Sequence, residues 1–187
     1  MRQKLYDALV ENPIIVAVKN EEEYEASKST EASVIFLLFG SVEDLPEKVS
    51  GLKECGKIVF VHLDLIQGLT NHVDALPFIK KYTDADGIIS TKSEVLKGAK
   101  AMSFDTIYRI FAIDSKGLSI QPSRLRDYVD CVEIMPGLMP KIITGMSKKL
   151  KIPVIAGGLI SEKEDVVAAL DAGAIAISST NRKVWEM

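Results

Sequence analysis

Eight short runs of apolar, largely β-branched residues recur along this 187-residue chain, and no other feature limits its fold as strongly. They lie at 14–18, 34–39, 58–63, 87–89, 106–113, 131–134, 154–156 and 174–177. Most are near-continuous apolar runs rather than alternations of apolar and polar residues. That pattern marks parallel strands covered on both faces. Between the runs lie helical patterns at 21–29, 42–54, 72–82, 93–101, 122–128, 138–150 and 161–172. Ser41 is a candidate N-cap for the second of these. Ser161 to Glu164 reads as a capping box for the last, with Gly173 as its C-terminal stop.

Eight strands, each followed by a helix, predict a single α/β domain over residues 1–187, a (β/α)8 TIM-type barrel. Such barrels usually need about 250 residues, so the loops here must be short. The 47% hydrophobic content is enough to build the core. The last helix is truncated, because only 181–187 follow the eighth run. That leaves barrel surface between the eighth and first strands to be covered, either by a helix around residues 4–10 or by a partner subunit, so a homodimer is expected.

Composition excludes several classes. No run of 18 apolar residues is present to cross a membrane, and the N-terminal residues lack an apolar signal core. Cys55 and Cys131 are isolated, with no CxxC and no histidine cluster near them. They read as reduced thiols of a cytoplasmic protein, and no metal or cofactor is expected. The net charge of −3 argues against a dedicated nucleic-acid binder, although basic residues do cluster locally.

Barrels of this kind build their sites at the C-terminal ends of the strands. Here those ends bring Lys19, then His62 and Asp64, then Ser90-Thr91-Lys92, Arg109 with Asp114, and Glu133. A Lys or Asp after a strand is ordinarily a solvated loop residue, and His62 reads equally well as a core histidine. Arg109 lies inside an apolar strand, where a bare guanidinium costs several kcal/mol. It must face the barrel end or pair with Glu133 or Asp114. Together these charges predict a pocket of mixed sign, suited to a ligand with hydroxyls and an anionic group. Gly157-Gly158 and Ser178-Ser179-Thr180 end the seventh and eighth strands, where such barrels commonly hold phosphate. Glycines permit close backbone approach and hydroxyls add donors. The short last helix is expected to aim its N-terminus at the same place.

Several blocks resemble one known family in order along nearly the whole chain. They are His62-Leu63-Asp64-Leu65-Ile66-Gln67-Gly68-Leu69, Asp86-Gly87-Ile88-Ile89-Ser90-Thr91-Lys92, Val132-Glu133-Ile134-Met135-Pro136-Gly137 with Pro140-Lys141, and Ile152-Pro153-Val154-Ile155-Ala156-Gly157-Gly158-Leu159-Ile160. The ending Ala172 to Thr180 with Trp185 completes the set. This pattern resembles the glycerol-3-phosphate-responsive antiterminators of glycerol-uptake operons. The resemblance implies a cytoplasmic barrel that binds glycerol 3-phosphate and acts on leader mRNA to prevent early termination. It implies that Gly157, Gly158, Ser178 and Ser179 face the phosphate, while Lys19, Asp64, Lys92, Arg109 and Glu133 line the glycerol end. Tyr108 and residues 115–123 are less typical of the family. Lys148, Lys149 and Lys151, Arg124 and Arg126, and Arg182 and Lys183 are the basic clusters available to RNA. The alternative is a barrel enzyme acting on a small phosphorylated metabolite, with Asp64 and Glu133 as acid or base and Lys92 as an amine.

Overall fold

The computed structural model describes residues 1–114 and 122–187. Its strands are β1 (Ile14–Val18), β2 (Val34–Leu37), β3 (Ile58–His62), β4 (Gly87–Ser90), β5 (Asp105–Phe111), β6 (Cys131–Met135), β7 (Val154–Gly157) and β8 (Ala176–Ser179). Its helices are α1 (Gln3–Glu11), α2 (Glu21–Ser27), α3 (Leu45–Glu54), α4 (Leu76–Tyr82), α5 (Ser93–Ala101), α6 (Pro122–Leu125), α7 (Pro140–Leu150), α8 (Lys163–Asp171) and α9 (Arg182–Trp185). The strands run parallel in sequence order and close into a barrel, with β1 paired to both β2 and β8. The expected (β/α)8 fold with a truncated last helix is what the chain adopts.

Side chains alternate across each strand, and this period sorts the barrel. Outward residues such as Val16, Ile35, Val59 and Ile88 pack under the helices. Inward residues Ile15, Phe36, Phe60, Ile89, Ile107, Ile155 and Ala176 fill the lower interior. Gly87 belongs to that layer, because a Cβ there would lie 2.1 Å from the Phe60 ring. The same alternation, continued upward, points His62, Arg109, Glu133, Gly157 and Ser178 into the upper interior.

Helix α1 does not cover the gap between β8 and β1, as the sequence had allowed. Its Leu5, Ala8 and Leu9 join the interior cluster and close the bottom of the barrel. Arg2 anchors it by donating from Nε to Asp105 at 2.7 Å, with Asp105 at the lower end of β5. The side chains of Leu5 and Leu9 are apolar on one helical face, which suits a plug better than an outer layer. The gap itself remains a groove of about 740 Å3 between α2 and α8, lined by Ile14, Val166, Leu170 and Trp185 among others.

Several boundaries differ from the expected ones for identifiable reasons. Helix α3 starts at Leu45 rather than residue 42, because Ser41 and Asp44 close a turn on each other first. Pro77 near the N-terminus of α4 confines the preceding residues to a 3-10 turn. The capping box of α8 uses Glu162 and Asp165, one residue beyond the Ser161–Glu164 pair. Strand β8 begins at Ala176 rather than residue 174, since the Ala174 N–H still serves the end of α8 through Ala169. The atypical stretch at 115–121 lies outside the described residues.

Candidate functional site at the upper end of the barrel

A cavity of about 430 Å3 opens at the C-terminal ends of β5 to β8. Arg109, Glu133, Gly158, Ser178, Ser179 and Thr180 line it, six of the residues expected from sequence. At its floor, Arg109 and Glu133 are directly opposed neighbours on β5 and β6. The Arg109 Nε donates to Glu133 Oε2 at 2.5 Å, and Ser178 Oγ donates to Oε1 at 2.5 Å. Of the two partners left open for Arg109, it takes Glu133. Both charged side chains are buried, so this chain of three side chains centred on the Glu133 carboxylate forms a polar floor.

Gly157 leaves room for the Glu133–Ser178 contact. A Cβ on Gly157 would sit 2.5 Å from both Glu133 Oε1 and Ser178 Oγ. Only a residue without a side chain lets the carboxylate and the hydroxyl meet there. Gly158 does lie in the loop at the cavity, in a left-handed conformation at φ +77°. Leu159 follows at φ 64° with its side chain largely exposed. A leucine in that conformation is strained by about 1–2 kcal/mol, and such outliers concentrate at binding loops.

The serine hydroxyls are already engaged. Ser178 donates to Glu133, and Ser179 Oγ donates to the Ile160 carbonyl at 2.9 Å, tying β8 to the loop after β7. Helix α9 is a single turn, and the Asn181 side chain accepts from its Lys183 N–H. The uncommitted donors are backbone groups instead. Outside the sheet ladder, and among the described residues, the N–H groups of Leu159 and Thr180 have no backbone acceptor, whereas the parallel pairing of Gly157 with Ser178 occupies that of Gly158.

Other expected residues are not gathered into this cavity. Asp64 accepts from Ser90 Oγ and from the N–H and Oγ1 of Thr91, stapling the turn after β3 to the end of β4. Burial raises its pKa, but those donors outweigh burial and hold the carboxyl below its usual value. Lys92 is exposed and donates to Asn71. Lys19 is exposed near Glu23 on the β1 side. His62 is buried on the inner face of β3, with no partner for Nδ1. Burial, aided by the nearby Arg109 charge and opposed by Asp64 and Glu133, pushes its pKa down to about 4, so the ring is neutral. Lys148, Lys149 and Lys151 sit where α7 ends beside the start of β7, whereas Arg182 and Lys183 follow β8. These two basic clusters lie at opposite ends of the barrel.

Ala17 and Leu38 on the β1–β2 side, and Met135, Leu159, Ile160, Ser161 and Asn181, also line the cavity beyond the predicted strand-end residues. Asn181 had a signal in its place after Ser-Ser-Thr, where an N-cap is common. Leu159 had none, since apolar side chains give no hint of a strained loop. Among the described residues no group of His, Cys, Asp or Glu is arranged to hold a metal ion. No helix among them is long and apolar enough to cross a membrane.

The chain is similar to several known proteins. A curated relative, the uncharacterized protein YgcP of Escherichia coli strain K12, is 39% identical over 98% of this chain and 96% of its own length. A crystal structure of a glycerol uptake operon antiterminator regulatory protein from Listeria monocytogenes superposes with a TM-score of 0.88 at 35% identity. It covers 94% of this chain and 95% of that one. A glycerol uptake operon antiterminator-related protein from Thermotoga maritima gives a TM-score of 0.81 at 33% identity, over 93% and 98% of the two chains. A solved aldolase at 16% identity and a TM-score of 0.72 shares the fold alone. Residues 14–185 match the family described as glycerol-3-phosphate responsive antiterminator, and the chain belongs to that family.

Proposed function

We propose that this protein senses glycerol 3-phosphate and, in response, acts on leader RNA of glycerol-uptake genes to prevent early transcription termination. The observation that carries the sensing half is the cavity at the ends of β5 to β8. It pairs a buried Arg109–Glu133 floor with backbone donors at Leu159 and Thr180 that no backbone acceptor outside the ladder takes up. Its volume of about 430 Å3 suits a small ligand. The phosphate would lie against the loops after β7 and β8, where N–H groups cradle anions. The glycerol hydroxyls would meet the floor, where a carboxylate accepts and a guanidinium donates.

Support for a regulator over an enzyme comes from the groups that chemistry would need. Lys92, the candidate amine, reaches Asn71 outside the cavity, and Asp64 is consumed by Ser90 and Thr91. The test is thermal stability with glycerol 3-phosphate, glycerol and inorganic phosphate, followed by assay for ligand consumption. At ~100 times its dissociation constant, a specific ligand adds about 2.7 kcal/mol. For a domain of this size, that raises Tm by roughly 5–10 °C. Thr180→Asp should abolish the shift by repulsion while Thr180→Ser retains it. No shift with glycerol 3-phosphate refutes the sensing reading, and turnover of the ligand replaces it with an enzyme.

A further inference from the structure

The net charge of −3 hides a strong segregation around the barrel. Residues 21–31 carry five acids against Lys28 alone. Residues 122–151 carry six Lys and Arg against three acids. Two of those three acids are buried and already paired: Asp130 with Lys100, and Glu133 with Arg109. The exposed surface of α6 and α7 is therefore basic, with Asp127 its one counter-charge among the described residues.

Helix α7 has a feature that its own packing does not explain. Gly145 lies mid-helix and exposed, and no atom lies within 4 Å of where its Cβ would be. Glycine weakens a helix, and here no close neighbour requires it. Its neighbours on the outer face are Lys141 at i−4 and Lys148 and Lys149 at i+3 and i+4, all exposed. The result is a bare stretch of helix backbone bordered by ammonium groups, which lets a sugar–phosphate chain approach closely. On the α6 side, a groove of about 810 Å3 runs between α5 and α6, lined by Lys97, Lys100 and Arg124 against the single acid Asp127, with Tyr128. The Lys97 ammonium lies 5.2 Å from the centre of the Tyr128 ring. A positive groove with an aromatic face is the chemistry that holds single-stranded nucleic acid, through phosphate contacts and base stacking.

The same helix is tied to the ligand cavity. Helix α7 begins four residues after Pro136, and within that connection the Gly137 N–H donates to the Gly158 carbonyl at 3.1 Å. A Cβ on Gly137 would lie 2.6 Å from Ile160 and 3.0 Å from the Gly157 nitrogen. The lead-in to α7 is thus seated on the loop that borders the cavity. We propose that single-stranded leader RNA docks on the outer face of α7 and in the α5–α6 groove, and that residues 136–139 couple this surface to ligand occupancy. This rests on the antitermination reading above.

The experiment uses the full chain and a fluorescently labelled transcript of the leader preceding the genome's glycerol-uptake genes. Binding is measured with and without glycerol 3-phosphate from 50 to 200 mM salt. Lys141→Glu/Lys148→Glu/Lys149→Glu should weaken binding at least tenfold. It should also reduce the slope of log affinity against log salt by about 2, since each lost single-strand contact removes about 0.7. Lys4→Glu/Lys28→Glu/Lys163→Glu, with the same change in net charge, should stay within twofold of the parent. Tyr128→Ala should lose fivefold or more with the salt slope unchanged. The α7 triple variant should keep its thermal shift with glycerol 3-phosphate, which shows that it is folded. If the parent binds the transcript and the α7 variant binds equally well, the docking face is refuted while the antitermination reading stands. If the parent does not bind the transcript even at 50 mM salt with ligand present, both fail.

Discussion

Arg109→Met isolates the buried ion pair at the floor of the cavity. Glu133 is fully buried, Arg109 is 7% exposed, and 2.5 Å separates Nε from Oε2. Removing the guanidinium leaves the carboxylate with Ser178 as its recorded donor. Breaking such a pair costs about 3–5 kcal/mol, mostly the penalty of a stranded buried charge. For a domain of this size, that lowers Tm by roughly 6–20 °C. Arg109→Met/Glu133→Leu removes both charges, and an apolar pair in their place is neutral or stabilising by about 1–4 kcal/mol. Ser178 then loses its acceptor at about 1–3 kcal/mol, which returns the double variant close to the parent. Urea titration with fitted m-values is the assay, and the double-mutant cycle should give a coupling energy of at least about 3 kcal/mol, since Glu133→Leu alone also strands a buried charge. A folded double variant that no longer gains stability from glycerol 3-phosphate would separate binding from folding at this floor. The reasoning is refuted if the single variant costs under about 1 kcal/mol, or if the two substitutions add as independent losses.

Three further outcomes follow from the same geometry. His62 carries a pKa of about 4 against an ordinary 6.5, so the unfolded chain takes up the proton first as pH falls. Its stabilising contribution is complete above pH 6.5 and lost progressively toward pH 4, at no more than about 1.4 kcal/mol per pH unit, and His62→Phe should flatten that slope in urea titrations between those values. Gly157→Ala drives a methyl group into Glu133 and Ser178 and should cost about 2–4 kcal/mol by overpacking and a broken hydrogen bond; calorimetry showing under 1 kcal/mol would mean the floor relaxes freely. Gly145→Ala has open space and an ordinary φ, so it should raise stability by about 0.5–1 kcal/mol in the same assay while, on the docking reading, weakening RNA binding.

The barrel was readable in the sequence because burial on both faces leaves an unbroken apolar run, and eight such runs have few other solutions. Arg109 and Glu133 were readable for a related reason, since charges inside apolar strands must be satisfied somewhere. What could not be read was the use to which each polar atom is put. Ser178 and Ser179 look like phosphate donors in a string of letters, yet one is held by a carboxylate from β6 and the other by a carbonyl from the β7 loop. Lys92 and Asp64 stand at strand ends as expected, but Asn71, 21 positions from Lys92, and Thr91, 27 positions from Asp64, engage them outside the cavity. The apolar face of helix α1 fits either the outer gap, where a partner subunit is the alternative cover, or the barrel bottom, which it closes. Arg2 with Asp105 decides between them, a contact spanning 103 positions that no local pattern reveals.

The division of labour inside the barrel bears on how a ligand signal leaves it. The strands supply a floor in which Glu133 is already bonded to Arg109 and Ser178, so it can receive a ligand without itself rearranging. The uncommitted donors sit in the loops after β7 and β8, and one of those loops holds Leu159 in a conformation that costs energy to maintain. A ligand that engages those N–H groups therefore acts on the loops more than on the strands. The loop after β7 touches the lead-in to α7 through Gly137 and Gly158, so its state bears on where α7 starts. Linkage requires the effect to run both ways: RNA bound to α7 should tighten glycerol 3-phosphate by the same factor that the ligand tightens RNA. Equal factors measured from the two directions, and their joint disappearance in Gly137→Ala, would place the coupling in this contact. A coupling factor that survives Gly137→Ala unchanged would move it elsewhere.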